Sequence, residues 1–285
     1  MELFRALAAL AEAPGPEHVR LAELLGLPGR PDPVEFTELF VLQLYPYASV
    51  YLGPEGMLGG EARDRVAGFW RALGRVPPAE PDHLAVLLAL YAALADSEGG
   101  EPDPARRVLL KESRTALLWE HLASWLPPYL DKLEDIAPPS YRAWGALLGE
   151  AVRAELASCG PAMSLPLQLR EAPALPDPRE VGASAFLGAL LAPVRSGIVL
   201  VRADLARAAR HTGLGLRMGE RRFAVDALLS QDPAGTLSWL RTEASAWEAR
   251  HRRWRDATGP IAGFWEGRAS AASALLGALV AGRDS

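Results

Sequence analysis

The chain has 285 residues, 49% of them hydrophobic and 23% charged, enough to bury a sizeable core and too apolar for a disordered chain. One cysteine, Cys159, rules out an internal disulfide, and no uninterrupted apolar run reaches the roughly 20 residues of a membrane-spanning helix. The net charge of −5 is uneven: residues 1–178 carry 15 basic and 25 acidic side chains, residues 179–285 carry 15 and 10, and every basic residue in the latter is arginine. No cysteine–histidine cluster has metal-ligand spacing, no secretory signal precedes the first periodic segment, and a cytoplasmic location is expected.

The predicted elements are almost all helices. Glu2 to Ala13 presents Leu3, Leu7 and Leu10 on one face and is ended by Pro14-Gly15-Pro16. Glu17 to Leu25 follows, then a Pro-rich link to Pro33, then Val34 to Leu44 with Phe36, Leu39 and Phe40 at helical offsets. Residues 45–61, with two prolines, four glycines and Tyr45, Tyr47 and Tyr51, read as a structured loop whose rigid rings suit either recognition or anchoring to the core. Glu61 to Leu73 is a helix carrying Trp70. Pro81 to Asp96 is the helix around which the rest is arranged: Pro81 suits a first turn, Asp82 favours the positive end of the dipole, and Leu84, Leu87, Leu88 and Tyr91 face a core. Ala105 to Leu126 is predicted as one long helix stopped by Pro127-Pro128, followed by Tyr129 to Ile136 and Tyr141 to Ser158. Residues 161–178 are a Pro-rich linker in which Met163 to Leu169 alternates weakly like a strand. Beyond it come Arg179 to Pro193, a short strand candidate Gly197 to Val201, Arg202 to Thr212, Glu220 to Leu229, Ala234 to Asp256 and Pro260 to Val280.

Four blocks stand out in order: Tyr47-Ala48-Ser49-Val50-Tyr51-Leu52 leading to Leu58-Gly59-Gly60-Glu61; Glu80-Pro81-Asp82-His83; Glu120-His121-Leu122-Ala123-Ser124-Trp125-Leu126-Pro127; and Tyr141-Arg142-Ala143-Trp144-Gly145. Through them the segment from Pro46 to about Ala157 resembles the TorD/DmsD/NarJ family of redox-enzyme maturation chaperones. The resemblance implies an all-α multi-helix bundle without a cofactor, here with an added C-terminal helical region. It divides the chain into N-terminal helices and linker (1–33), a chaperone core (34–160), a Pro-rich linker (161–178) and the C-terminal helices (179–285). It implies a monomer or dimer that binds the twin-arginine-type leader of a molybdopterin oxidoreductase catalytic subunit and assists cofactor insertion before export. The Glu-Pro-Asp-His block and its neighbouring loop point to Glu80, Asp82 and His83 as leader contacts.

The side-chain chemistry fits such a ligand. Guanidinium groups favour forked carboxylates, for which Glu61, Glu80, Asp82 and Glu120 are candidates. Tyr47, Tyr51, Trp70 and Trp125 are candidates to cover an apolar stretch, with His83 and His121 beside them. Taken singly, each carboxylate also reads as solvated or capping, each tryptophan as core, and each histidine as structural. Two rivals remain at this stage. Residues 201–230 outline a helix-turn-helix with Arg221 and Arg222 on its second helix, a nucleic-acid reading that their acidic neighbours Glu220 and Asp226 weaken. Asp82-His83 and Glu120-His121 also resemble acid–base pairs, but no nucleophile elbow, phosphate loop or metal spacing accompanies them, and the chain is not read as an enzyme.

Overall fold

The computed structural model describes residues 1–162, 164–216 and 219–282. The described residues form eighteen α-helices and two π-helical turns with no strand, so the all-α expectation holds. Gly197 to Val201 is a buried connection rather than a strand, and Leu167–Glu171 is a short helix where the alternation suggested extension. Met163, at the head of that alternation, lies outside the described residues.

The chain resolves into two compact units. The first comprises Met1–Ser49 and Leu58–Gln168; the second comprises Val50–Met57 and the described residues from Leu169 onward. In the first, the helix Leu84–Gly100 is apolar on all sides and buries Leu84, Leu87, Leu88, Leu90, Tyr91 and Leu94, as a helix enclosed by others must. Glu2–Ala9 and Pro104–Ala116 pack against it, with the Phe4 and Tyr91 rings 5.0 Å apart. Leu126–Ile136 packs on Pro139–Cys159, whose Trp144 Nε1 donates to the Leu7 carbonyl at 3.1 Å.

The segment 45–61, read as a loop, contains the short helix Ala48–Leu52, and 179–193, read as one helix, is Pro178–Val181, Ala183–Leu190 and Pro193–Ser196. Two further differences fall at prolines. The central helix begins at Leu84 with His83 as its cap, so Pro81 and Asp82 stand before it rather than in its first turn. At the other, Pro127 and Pro128 do not end a helix but open the next, Leu126–Ile136, where their missing N–H groups cost nothing. The helix before them, Pro104–Ala116, passes into a π turn at Leu117–Leu122, closed by Ala123 N donating to Leu118 O at 2.7 Å.

The second unit is built on a helical hairpin, Pro233–Arg252 and Pro260–Ala281, the second arm of which is rich in alanine and glycine and so permits close packing. His251 sits between the rings of Trp247 and Trp265, at 5.2 and 5.8 Å, and its Nε2 meets the Gly197 carbonyl at 2.8 Å. Gly197 has a φ of +72°, and a Cβ there would lie 2.3 Å from the Ala269 nitrogen, so only glycine fits. Gly56 plays the same part for the Val50–Met57 segment: its φ is +63°, and a Cβ would come within 2.7 Å of Ala192 Cα.

Candidate functional site

In the first unit the Tyr47 loop and the Glu80–His83 turn interlock. Ala48 N donates to Asp82 O at 3.0 Å and Leu84 N to Pro46 O at 2.8 Å, and Tyr47 and His83 form an isolated antiparallel bridge. These bonds, between residues more than thirty positions apart, hold Pro81 and Asp82 out of the helix. The Asp82 carboxylate is 1% exposed and accepts from Ser49 N at 3.0 Å, at the first turn of the short helix Ala48–Leu52. It caps a helix start remote in sequence, where negative charge is favourable. Ser49 Oγ in turn accepts from Gly59 N at 3.1 Å, which ties in the glycine-rich end of the loop.

Above this buried carboxylate lies a polar surface. The Tyr47 hydroxyl donates to Glu80 Oε2 at 2.8 Å, and the Tyr47 ring meets the His83 ring edge-on, with centroids 4.7 Å apart at 71°. His83 Nδ1 accepts from Ala85 N at 3.2 Å, capping the central helix and assigning the proton of the neutral ring to Nε2. Burial holds His83 below the usual histidine pKa, against the pull of Glu80, Glu12 and Asp82. Burial, then the hydrogen bond to Glu80, raises the Tyr47 hydroxyl well above the ordinary tyrosine value. Glu80 itself is exposed, so its carboxylate remains open to a cation from solvent. Arg63 Nη2 donates to the Ala79 carbonyl at 2.9 Å, joining the helix Gly60–Ala72 to this turn. Leu58 (54% exposed) and Val76 (88%) stand on the chain segments that lead into the cluster.

Glu120, His121 and Trp125 behave differently. The π turn leaves carbonyls without helical partners, and the block supplies its own: Ser124 Oγ donates to Glu120 O and Trp125 Nε1 to His121 O, each at 2.8 Å. Trp125 has no exposed surface. His121 is 8% exposed and packs 4.9 Å from the Phe69 ring, its Nδ1 has no hydrogen-bond partner among the described residues, and burial lowers its pKa to about 4. Glu120 Oε2 accepts from Leu167 N at 2.9 Å.

The other named residues have environments of their own. Trp70, next to Phe69, buries its Nε1 without an acceptor among the described residues. Glu61 pairs with Arg65 one turn on, at 2.6 Å. Tyr51 belongs to the second unit and is 1% exposed; burial raises its hydroxyl pKa against the nearby Arg221 charge. Tyr47, Glu80, Asp82 and His83 are thus the predicted residues that converge around one exposed carboxylate.

Sequence reasoning missed one charged cluster. Tyr91 OH donates to Glu155 Oε2 at 2.6 Å, while Arg114 donates to Glu98 (2.8 Å), Tyr91 OH (2.7 Å) and Glu155 (3.1 Å). These residues cross-link three helices beside a cavity of about 570 Å³. The periodicity of Tyr91 and Glu98, seven residues apart, marks one helix face, but nothing local announces Glu155. Arg114 meets both carboxylates and the phenol, which suits a structural tie.

The nucleic-acid reading gains no support. Both helices form, as Arg202–Thr212 and Arg221–Gln231, but three of their arginines, the predicted Arg221 and Arg222 among them, are engaged within the unit. Arg221 donates to Leu200 O at 2.7 Å and Arg222 to Ser184 O at 3.2 Å, while Arg207 pairs with Asp204 at 2.7 Å. Residues 217 and 218 of the intervening turn lie outside the described residues. Among the described residues, no helix is long and apolar enough to cross a membrane, and no group of three or more acidic, histidine or cysteine side chains is placed to hold a metal ion.

Comparison with known proteins gives one match. The family model described as nitrate reductase delta subunit covers residues 33–131, the segment that holds the Tyr47–Glu80–His83 cluster and the π turn. No curated protein and no solved structure matches the chain.

Proposed function

Since residues 33–131 carry the pattern of the NarJ/TorD-type family of molybdoenzyme maturation chaperones, we propose that this protein is a cytoplasmic chaperone for the catalytic subunit of a molybdopterin oxidoreductase. It binds the subunit's N-terminal leader, of twin-arginine type, through the Tyr47–Glu80–His83 surface, and assists cofactor insertion and assembly before export. The observation that carries this reading is the interlocking of two separate sequence blocks into one exposed acidic and aromatic surface.

The division of labour follows from burial. Asp82 and Ser49 fix the frame; Glu80 accepts a guanidinium; the Tyr47 hydroxyl orients that carboxylate; Leu58 and Val76 receive the apolar residues that follow the arginines. Calorimetry with a synthetic peptide of two adjacent arginines followed by an apolar stretch tests it. The wild type binds, replacing both arginines by glutamine removes binding, and Glu80→Gln weakens it. Equal affinity for both peptides, or an unchanged affinity in Glu80→Gln, overturns the reading.

A further inference from the structure

Two arginines of the second unit stand close together without an acid between them. Arg195, on the short helix Pro193–Ser196, directs Nε and Nη2 at one acceptor, the Ala174 carbonyl, at 3.3 and 3.1 Å. Arg268, on Pro260–Ala281, donates from Nη2 to the Ala172 carbonyl at 2.5 Å, and its guanidinium carbon lies 4.9 Å from the centre of the Phe264 ring. Gly197 allows the approach: its missing Cβ lets the end of the short helix rest on the backbone of Arg268 and Ala269.

Neutral carbonyls leave both charges standing. Among the described residues neither arginine has an ion pair. The acids nearest in sequence are engaged elsewhere: Glu266 with Arg252 and Arg255, Asp177 with Arg179, and Glu171, exposed beside Ala172, with neither of the two. Burial, then the Arg195 charge, holds the Arg268 guanidinium below the usual arginine value. Like charges held this close repel, and partial burial strengthens the repulsion. An anion between them offsets both costs.

We infer that Arg195 and Arg268 form an oxyanion site that takes a phosphate dianion, free or carried by a small phosphorylated molecule. Charge selects phosphate over carboxylate: two guanidiniums face the ligand, and a phosphate group supplies about −1.5 to −2 charges and three acceptor oxygens near neutral pH. Both side chains are set before the anion arrives, Arg195 by two bonds to one carbonyl and Arg268 by its carbonyl and the Phe264 face, and each keeps Nη1 unused among the described residues. The site does not depend on the Tyr47–Glu80–His83 surface or on its peptide.

Calorimetry of the full chain with phenyl phosphate, inorganic phosphate and benzoate tests it. Phenyl phosphate binds at least about tenfold more tightly than benzoate. Arg195→Gln and Arg268→Gln each weaken it about tenfold, the scale of a lost hydrogen bond to a charged group, and Arg268→Lys, which keeps the charge but not the fork, weakens it less. Phosphate also raises the unfolding midpoint of the wild type above that in acetate of equal ionic strength, and does not do so in Arg268→Gln. A purely structural strap gives another result: the variant loses stability equally in both buffers while phosphate adds nothing to the wild type, and that overturns the site. Binding that survives both glutamine substitutions overturns it as well, and equal affinity for benzoate overturns the choice of phosphate. Binding of inorganic phosphate alone supports the site for the free ion; binding of phenyl phosphate at equal or higher affinity supports it for an organic phosphate. Peptide binding through Glu80 is unchanged in either arginine variant, so the proposed function stands or falls separately.

Discussion

Asp82-His83 and Glu120-His121 look alike in sequence: an acid, then an imidazole, next to an aromatic block. The structure gives them opposite duties. In the first pair the acid is buried and the histidine half-exposed beside Tyr47, with Glu80 open to solvent. In the second the histidine is buried, the acid is tied to Leu167 N, and the tryptophan that follows has no exposed surface. The difference comes from the backbone beneath them. A turn pinned by bonds to residues 46–49 pushes side chains outward; a π turn turns its own block inward to satisfy the carbonyls it orphans. A charged dipeptide therefore says little about a surface until the hydrogen bonds of its own backbone are placed.

The sharpest way to break this contrast is Trp125→Ala. The ring is fully buried and its Nε1 satisfies the His121 carbonyl, so truncation costs about 3–5 kcal/mol of stability, as for other buried aromatics. Denaturant unfolding measures the loss, and peptide affinity of the folded fraction stays unchanged. If stability barely moves while peptide binding disappears, the second block is a contact surface and the contrast fails.

Acid separates the two histidines next. Burial lowers His121 to about pKa 4, below the 6.5 of an unfolded chain, so between those values the unfolded state binds the extra proton. The stability this ring contributes is fully present above about pH 6.5 and is lost as pH falls toward 4. A shift of that size corresponds to about 3 kcal/mol. His251 has the same value and acts in the same window, so His121→Phe removes only its own share of the acid sensitivity. His83 is lowered too, but it is half-exposed and adds less. Unfolding midpoints at pH 7 and pH 4.5, compared between wild type and His121→Phe, check this. An unchanged pH slope in the variant shows that His121 keeps its proton affinity on folding.

Most helices were legible because prolines and glycines punctuate the chain: Arg202–Thr212 and Pro260–Ala281 fall within a residue or two of their expected bounds. Two of the errors, at Pro81 and Pro127, have the same origin. A proline fits the first turn of a helix and also the break before one, and only long-range bonds decide between them. For Pro81 those bonds come from Pro46 and Ala48, more than thirty residues upstream. For Pro127 the π turn ends the preceding helix before the proline does. The candidate surface was legible as residue types, since Tyr47, Glu80, Asp82 and His83, which the fold brings together, were all singled out. Their burial was not: that Asp82 caps a helix start at Ser49 depends on a contact no local pattern encodes.

That buried cap makes Asp82→Ala the next smaller effect. It leaves Ser49 N without its acceptor, which costs about 1–3 kcal/mol. Thermal unfolding shows the loss, and peptide affinity falls with it because the Tyr47 loop loosens. Asp82→Asn, which keeps an acceptor oxygen, recovers part of both. Equal loss in the two variants assigns the role to the charge rather than to the hydrogen bond.

Tyr47→Phe probes the surface itself and has the smallest effect. Its hydroxyl donates to an exposed carboxylate, so removing it changes stability by no more than about 0.5 kcal/mol. The ring and its edge-on packing with His83 remain. Only the orientation of Glu80 is lost, and peptide affinity drops by less than about threefold, whereas Glu80→Gln removes the charge and costs about two- to fivefold. Because the two substitutions act through the same carboxylate, their effects are not additive: in the double variant Tyr47→Phe adds nothing beyond Glu80→Gln. Additive losses in a double-mutant cycle separate the phenol from the carboxylate and assign each its own contact with the peptide.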